Sequence, residues 1–350
     1  MIAPVTHILP LTLIRRARML PGKGRVLVRV GQKVSATDVI AETTISGEHV
    51  LVDVREALGL HSASQAQRLI DRKAGERIEK GDILAQTGGL FARVIRAPVD
   101  GQLIAVHRGQ ILLEKKGRSQ EILAGINGVI AEVLPDRGAI IETHGALIQG
   151  VWGNNLVNLG LLAGATSIGM GELTRASLDV TFRGGIVMAG YITNPDALQV
   201  GEELPLRGLI LGSMSSDLIE AAQRVHYPII LLEGFGRTPV NSAALNLLTT
   251  HFQRDVCMDA SWDAQRGDVR PEIVIPLPAS GHAPNETPEF TNGKTVRIHV
   301  PPLAGQVGTF MALRPGLTRL PNGQRVPAAD VAIENAQVVT VPLANMDVLE

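Results

Sequence analysis

Cysteine is nearly missing from this chain. Cys257 is the only one, which excludes an internal disulfide, a four-thiolate zinc site and a cysteine-ligated iron–sulfur cluster within one chain. A reducing compartment suits such a sequence. Aromatic residues make up 3% of the 350, leaving few rings to stack on unpaired bases. Neither sign of charge prevails. Lys and Arg number 33 against 34 Asp and Glu, a net charge of −1, so no global field gathers nucleic acid or an anionic membrane, and only a local patch remains open. Long apolar runs are missing too: none approaches the roughly 18 residues needed to span a bilayer. The opening MIAPVTHILPLTLIRRAR places its apolar part before the arginines and interrupts it with Pro4 and Pro10, the reverse of a secretory signal. A first strand is expected there, in a cytoplasmic protein with no membrane insertion.

What is present is turn chemistry and pleated-sheet chemistry. The chain carries 37 Gly and 20 Pro, and 45% of its residues are hydrophobic, enough apolar surface to offset ordering entropy in several cores. Val and Ile between Gly-rich turns predict that strands dominate. The expected class is α+β multidomain.

An internal repeat organises the first third. Within Leu20–Glu42, the stretch VRVGQKVSATDVIAE (28–42) aligns with RKAGERIEKGDILAQ (72–86), each with a Gly turn, charged positions and a closing apolar strand at matching offsets. Between them, Ser62 and Gln65 have capping-box spacing, and Ala66, Leu69 and Ile70 form an apolar helix face, so a helical insertion is expected near 55–72. The stretch Lys73–Glu114, with Gly75, Gly81 and the turn Ala97-Pro98-Val99-Asp100-Gly101, resembles a biotinyl/lipoyl-type domain. The same resemblance extends to the non-acylated domains of this type found in the Rnf complex and in sodium-pumping quinone reductase, and to membrane-fusion adaptors. It implies a barrel-sandwich hybrid over 1–124 in which the two copies interleave. Carrier members hold their attachment lysine on a hairpin that corresponds here to Thr87-Gly88-Gly89-Leu90, which has none. No cofactor is therefore expected. Residues 125–184 read as short strands between Gly, Asn and Asp-Arg-Gly turns, a β-rich bridging segment completing the first domain.

From residue 185 the periodicity changes. GGIVMAG, RGLILGSM, YPIILLEGFG and DVCMDA are compact apolar runs separated by the helical segments NPDALQVGEE, SSDLIEAAQRVH and NSAALNLLTTHFQ. This alternation predicts parallel βαβ units, a central Rossmann-like α/β layer over 185–262. Asn194 followed by Pro195, Ser215 or Ser216, and Asn241 are the expected helix starts. Residues 263–293 read as a Pro/Gly-rich linker. The segment 294–350, with Val296-Arg297-Ile298, the Pro301–Gly305 turn and Gly308-Thr309, resembles a KOW motif, which implies a C-terminal SH3-like β-barrel. Its Lys294, Arg297, Arg314, Arg319 and Arg325 are nearly balanced by Asp330, Glu334, Asp347 and Glu350, which weakens phosphate attraction.

Recognised catalytic signatures are missing. The nine histidines lack metal-ligand spacing, and there is no Gly-x-Ser-x-Gly elbow or Walker loop. His144 reads as a strand-end histidine and Cys257 as a buried thiol. Ligands in open α/β layers bind outside the carboxyl ends of strands. This singles out Ser213, Ser215, Ser216, Gly234, Gly236 and Arg237 as a candidate anion site, with plain loop chemistry as the competing reading. Gly169-Met170-Gly171, the Gly150–Asn155 turn, Arg15-Arg16 and Lys115-Lys116 carry weaker signals. Four functions stay open: a non-catalytic assembly protein with a protein partner or self-association, a cofactor-free accessory component of a redox complex, a ribosome- or transcription-associated factor binding nucleic acid, and a small-anion sensor or enzyme.

Overall fold

In the computed structural model, which describes residues 3–45, 47–88, 92–163, 171–266, 269–278, 280–284, 289–333 and 337–350, the two repeat copies fold alike. In the first, the Asp38 carboxylate accepts the Ser35 N–H at 2.8 Å; in the second, Asp82 accepts that of Glu79 at 3.0 Å. Gln32 and Glu76 receive the N–H groups of Arg29 and Lys73 in the same way. Gly31 and Gly75 occupy the left-handed region, at φ 80° and 90°, which only glycine enters without strain.

The copies do not share a core, contrary to the interleaved domain expected over 1–124. Ile78, Leu84 and Ala85 of the second copy pack with Ala97, Leu103 and Ile111. Val34, Ala36 and Ile40 of the first pack instead with Ala124, Ile126, Ile130 and Ile141. Each copy is closed by its own later segment through matched bonds. Ala97 N–H donates to Asp82 O as Ala124 N–H donates to Asp38 O, and Gly75 N–H to Leu103 O as Gly31 N–H to Ile130 O. The Asp100 carboxylate accepts the Lys80 N–H where Asn127 accepts that of Ala36. Chain order explains the result, because the second unit is inserted whole between the two halves of the first. Strand Val39–Ile45 leads out of the outer unit and His49–Asp53 into the inner one; Gln110–Lys115 leads out again to Arg118–Leu123. The inner unit forms a head, and among the described residues no ion pair links it to the rest.

The expected helical insertion is in the head, as helices Val54–Leu58 and Ala63–Arg68. Ser62 precedes the second without capping it; its hydroxyl bonds Ser64 instead. Of the lysine-free hairpin, Gly89 and Leu90 lie outside the described residues, while Thr87 is tied to Arg93 by two bonds.

An eleven-stranded sheet carries the body. The predicted first strand is Ile8–Met19, antiparallel to Gly138–Gln149. Pro10 and Leu11 face Ala146 in a register shift, where proline removes no ladder bond. Strands Val157–Ala163, Ile186–Ile192, Gly208–Met214 and Ile229–Phe235 lie side by side and parallel; the two central ones are buried on both faces, as their continuous apolar runs require, whereas Val157–Ala163 is mostly half-buried. The parallel layer thus starts at Val157, within the segment read as a bridge. Two further expectations fail. Asp255–Asp259 runs antiparallel to Val157–Ala163, because the chain turns back at Gln253, whose N–H bonds Leu162 O. The linker expected at 263–293 contains the strand Glu272–Pro276, paired with Asp255–Asp259 and Gly138–Gln149; its apolar Ile273-Val274-Ile275 core is wholly buried.

Asn241 caps helix Ser242–Thr250 through Ala244 N–H as predicted. Asn194 accepts the Asp196 N–H of helix Asp196–Glu203, which begins after Pro195. The C-terminal segment forms a six-stranded sheet in which Thr295–Ile298 pairs with Val307–Leu313 and with Met346–Leu349, and Val5–Thr6 adds a parallel edge. Phe290 stacks on Phe310 at 5.5 Å in its core. No described helix is long and apolar enough to cross a membrane.

Candidate functional site at the carboxyl ends of the parallel strands

Strands Gly208–Met214 and Ile229–Phe235 end side by side, with Ser213 opposite Gly234 and Met214 opposite Phe235. Gly234 at φ 104° and Gly236 at φ 132° permit the turn, and Gly236 N–H closes it on Met214 O. The two strand ends singled out from sequence are thus adjacent. The side chains answer differently. Ser213 is fully buried; its hydroxyl donates to Thr238 O at 2.8 Å and accepts Thr238 N–H at 2.7 Å. Its bonding capacity goes to the loop and not outward. Ser215 and Ser216 lead into a three-residue 3-10 turn and the short helix Ile219–Ala222, with no side-chain cap and with Asp217 in the first turn. So short a helix builds little dipole, and Asp217 already supplies the negative charge there. Arg237 is exposed, and no ion pair holds it among the described residues.

The residue that sequence reasoning missed is Glu233. One of its oxygens accepts Asn241 Nδ2–H at 2.5 Å, and the other lies 3.2 Å from Arg297 Nη1. Arg297, read from sequence as a terminal-segment charge, is 1% exposed. Its guanidinium has five N–H donors and makes five bonds, two to Asp347 and one each to Leu232 O, Glu233 and Thr6. His299 Nε2 lies 2.8 Å from Asp347 Oδ1. Burial works against the Asp347 charge, but the bond from His299, the Arg297 guanidinium and the Thr6 hydroxyl outweigh it and hold the carboxyl at about 2. Arg297 is likewise penalised by burial, yet Glu233 and Asp347 raise its proton affinity above the ordinary value. The only local signal was an arginine between Val296 and Ile298 in an apolar strand. Strand alternation turns it away from its own core, and its partners lie too far along the chain to be read.

The C-terminal module also covers the strand ends sterically. A Cβ on Gly305, at φ 84°, would stand 2.6 Å from Thr238 Cγ2, so the Pro301–Gly305 turn presses on the loop that Ser213 pins. On the other side Phe235, 45% exposed, meets Trp152 edge-on at 6.0 Å, and Trp152 meets Trp262 at 6.3 Å. The Gly150–Asn155 turn is structural: buried Asn154 bonds Ala222 O, Tyr227 O and Ile229 N–H, and Asn155 accepts Trp262 N–H.

The remaining candidates have local roles. His144 sits within strand Gly138–Gln149, not at its end. Cys257 is buried, and burial pushes its thiol up to about 11. Arg16 and Arg18 pair with Glu272 and Asp259, two carboxylates directly opposite each other on neighbouring strands. Gly169 and Met170 lie outside the described residues. Among the described residues no three His, Cys, Asp or Glu side chains gather as a metal site. No protein-family model matches the chain, and no curated protein matches it.

Proposed function

We propose that this chain is a non-catalytic, multidomain binding or assembly protein, built from two nested barrel-sandwich units, a Rossmann-like layer and a C-terminal SH3-like barrel. One observation carries the reading: the strand-end crevice, where such layers bind ligands, is taken up by the protein's own C-terminal module through Arg297, Glu233, Asp347 and Gly305. Groups that would otherwise perform chemistry are spent on joining modules. The nucleic-acid reading loses support for a related reason. Lys294 pairs with Glu350, Arg297 with Asp347 and Glu233, and Arg314 with Asp330, which leaves few cations for phosphates. Multi-angle light scattering across concentration, combined with cross-linking in native extracts, tests the proposal. A self-associated species or a complex of fixed stoichiometry is expected; a monomer at every concentration with no complex in the extract overturns it.

A further inference from the structure

Between Phe290 and Ala329 the sequence contains no Asp or Glu. After the ion pairs above, the cations of this stretch that stay unpaired among the described residues are Arg319 and Arg325. They belong to the two short strands Thr318–Arg319 and Arg325–Val326, where they stand directly opposite each other. Like charges facing across strands are destabilising, and among the described residues no carboxylate forms an ion pair with either arginine. Exposure alternates along the hairpin. Thr318, Leu320 and Val326 are half-buried, and Leu320 and Val326 line a groove of about 580 Å³ with Pro342 and Leu343. The opposite face presents Leu317, Arg319 and Arg325 to solvent.

Leu317 is 63% exposed, and Met311 and Leu313, on the strand leading into the hairpin, are 47% and 45% exposed. An exposed aliphatic side chain two residues from Arg319 on the same hairpin face, Leu317, together with unpaired guanidiniums matches the boundary of an anionic bilayer, where the former enters the acyl region and the latter meet phosphates. The alternative polyanion, a nucleic acid, would use rings for stacking, and no aromatic residue occurs from Met311 to Glu350. We infer that the outer face of this hairpin docks peripherally on an anionic membrane surface, with Arg319 and Arg325 sharing headgroup phosphates and Leu317 inserted beside them. The inference stands apart from the assembly reading, since neither the buried network nor self-association enters it.

Co-sedimentation of the full chain with phosphatidylcholine vesicles, with and without phosphatidylglycerol, tests it. Binding is expected only to the anionic vesicles. The double variant Arg319→Ser, Arg325→Ser lowers that partition on the order of thirty-fold, and Leu317→Ser lowers it with both arginines in place, which separates a lipid surface from a site for free phosphate. All three positions are exposed, so cooperative melting at or above the temperature of the unaltered chain shows that the variants fold. No binding to anionic vesicles overturns the inference, as does equal binding by the variants. Arginine-dependent binding to single-stranded RNA without vesicle sedimentation overturns it in favour of nucleic acid.

Discussion

Arg297 shows how a residue's surroundings decide its meaning. From sequence it is one of five cations in a KOW-like segment, nearly balanced by carboxylates; in the fold it is a buried five-bond hub. Arg297→Met leaves Asp347 and Glu233 buried without their counter-charge, an effect on the order of 3–5 kcal/mol, measurable as a lowered urea midpoint with unchanged slope. Asp347 gives the pH dependence. Its carboxyl titrates near 3.8 when unfolded and about 2 when folded, so its stabilisation, roughly 2 kcal/mol, is complete above about pH 4 and is lost as pH falls through 2. Asp347→Asn should flatten that acid limb in melting curves between pH 4 and 2. At Gly234 the nearest atom to an added Cβ is 3.7 Å away, so Gly234→Ala meets only backbone strain of about 1–2 kcal/mol. Phosphate should leave the melting temperature unchanged, because Ser213 is fully used and the Ser216 helix is a single short turn. A phosphate-dependent rise abolished by Arg237→Ala would revive the anion reading.

Elements were legible where local chemistry sets them. The apolar runs at 186–192, 208–214 and 229–235 became parallel strands, and Asn241 capped its helix, because short apolar runs and Asx caps act within a few residues. Pairing was less legible. Both repeat copies formed the predicted turns, yet which later segment closes each depends on nesting that no window of sequence displays. The direction of Asp255–Asp259 was likewise set by a turn at Gln253, a residue without a turn signature. The matched glycines offer a test. A Cβ at Gly101 would lie 2.0 Å from Glu114 O, and one at Gly128 would lie 2.5 Å from Glu142 O. Hydrogen exchange should show that Gly101→Ala loosens the head and leaves the body protected, with the reverse for Gly128→Ala. Cys257, buried in a central strand, should resist thiol reagents in the native protein and react only on unfolding.

At the scale of the whole molecule, modules were easier to foresee than their joints. The strand ends singled out from sequence do lie side by side, but what packs on them comes from residues roughly sixty positions downstream, a relation created by packing alone. The joints differ in kind. The C-terminal sheet is locked to the α/β layer by buried charge, whereas the head is carried on two adjacent crossings, where Lys115 N–H bonds Glu48 O at 2.9 Å. Because entry and exit touch, the inner unit should survive excision: a fragment running from Glu48 to Lys116 should melt cooperatively by itself. The remainder, sealed with a few glycines and serines across the gap, should keep its own core.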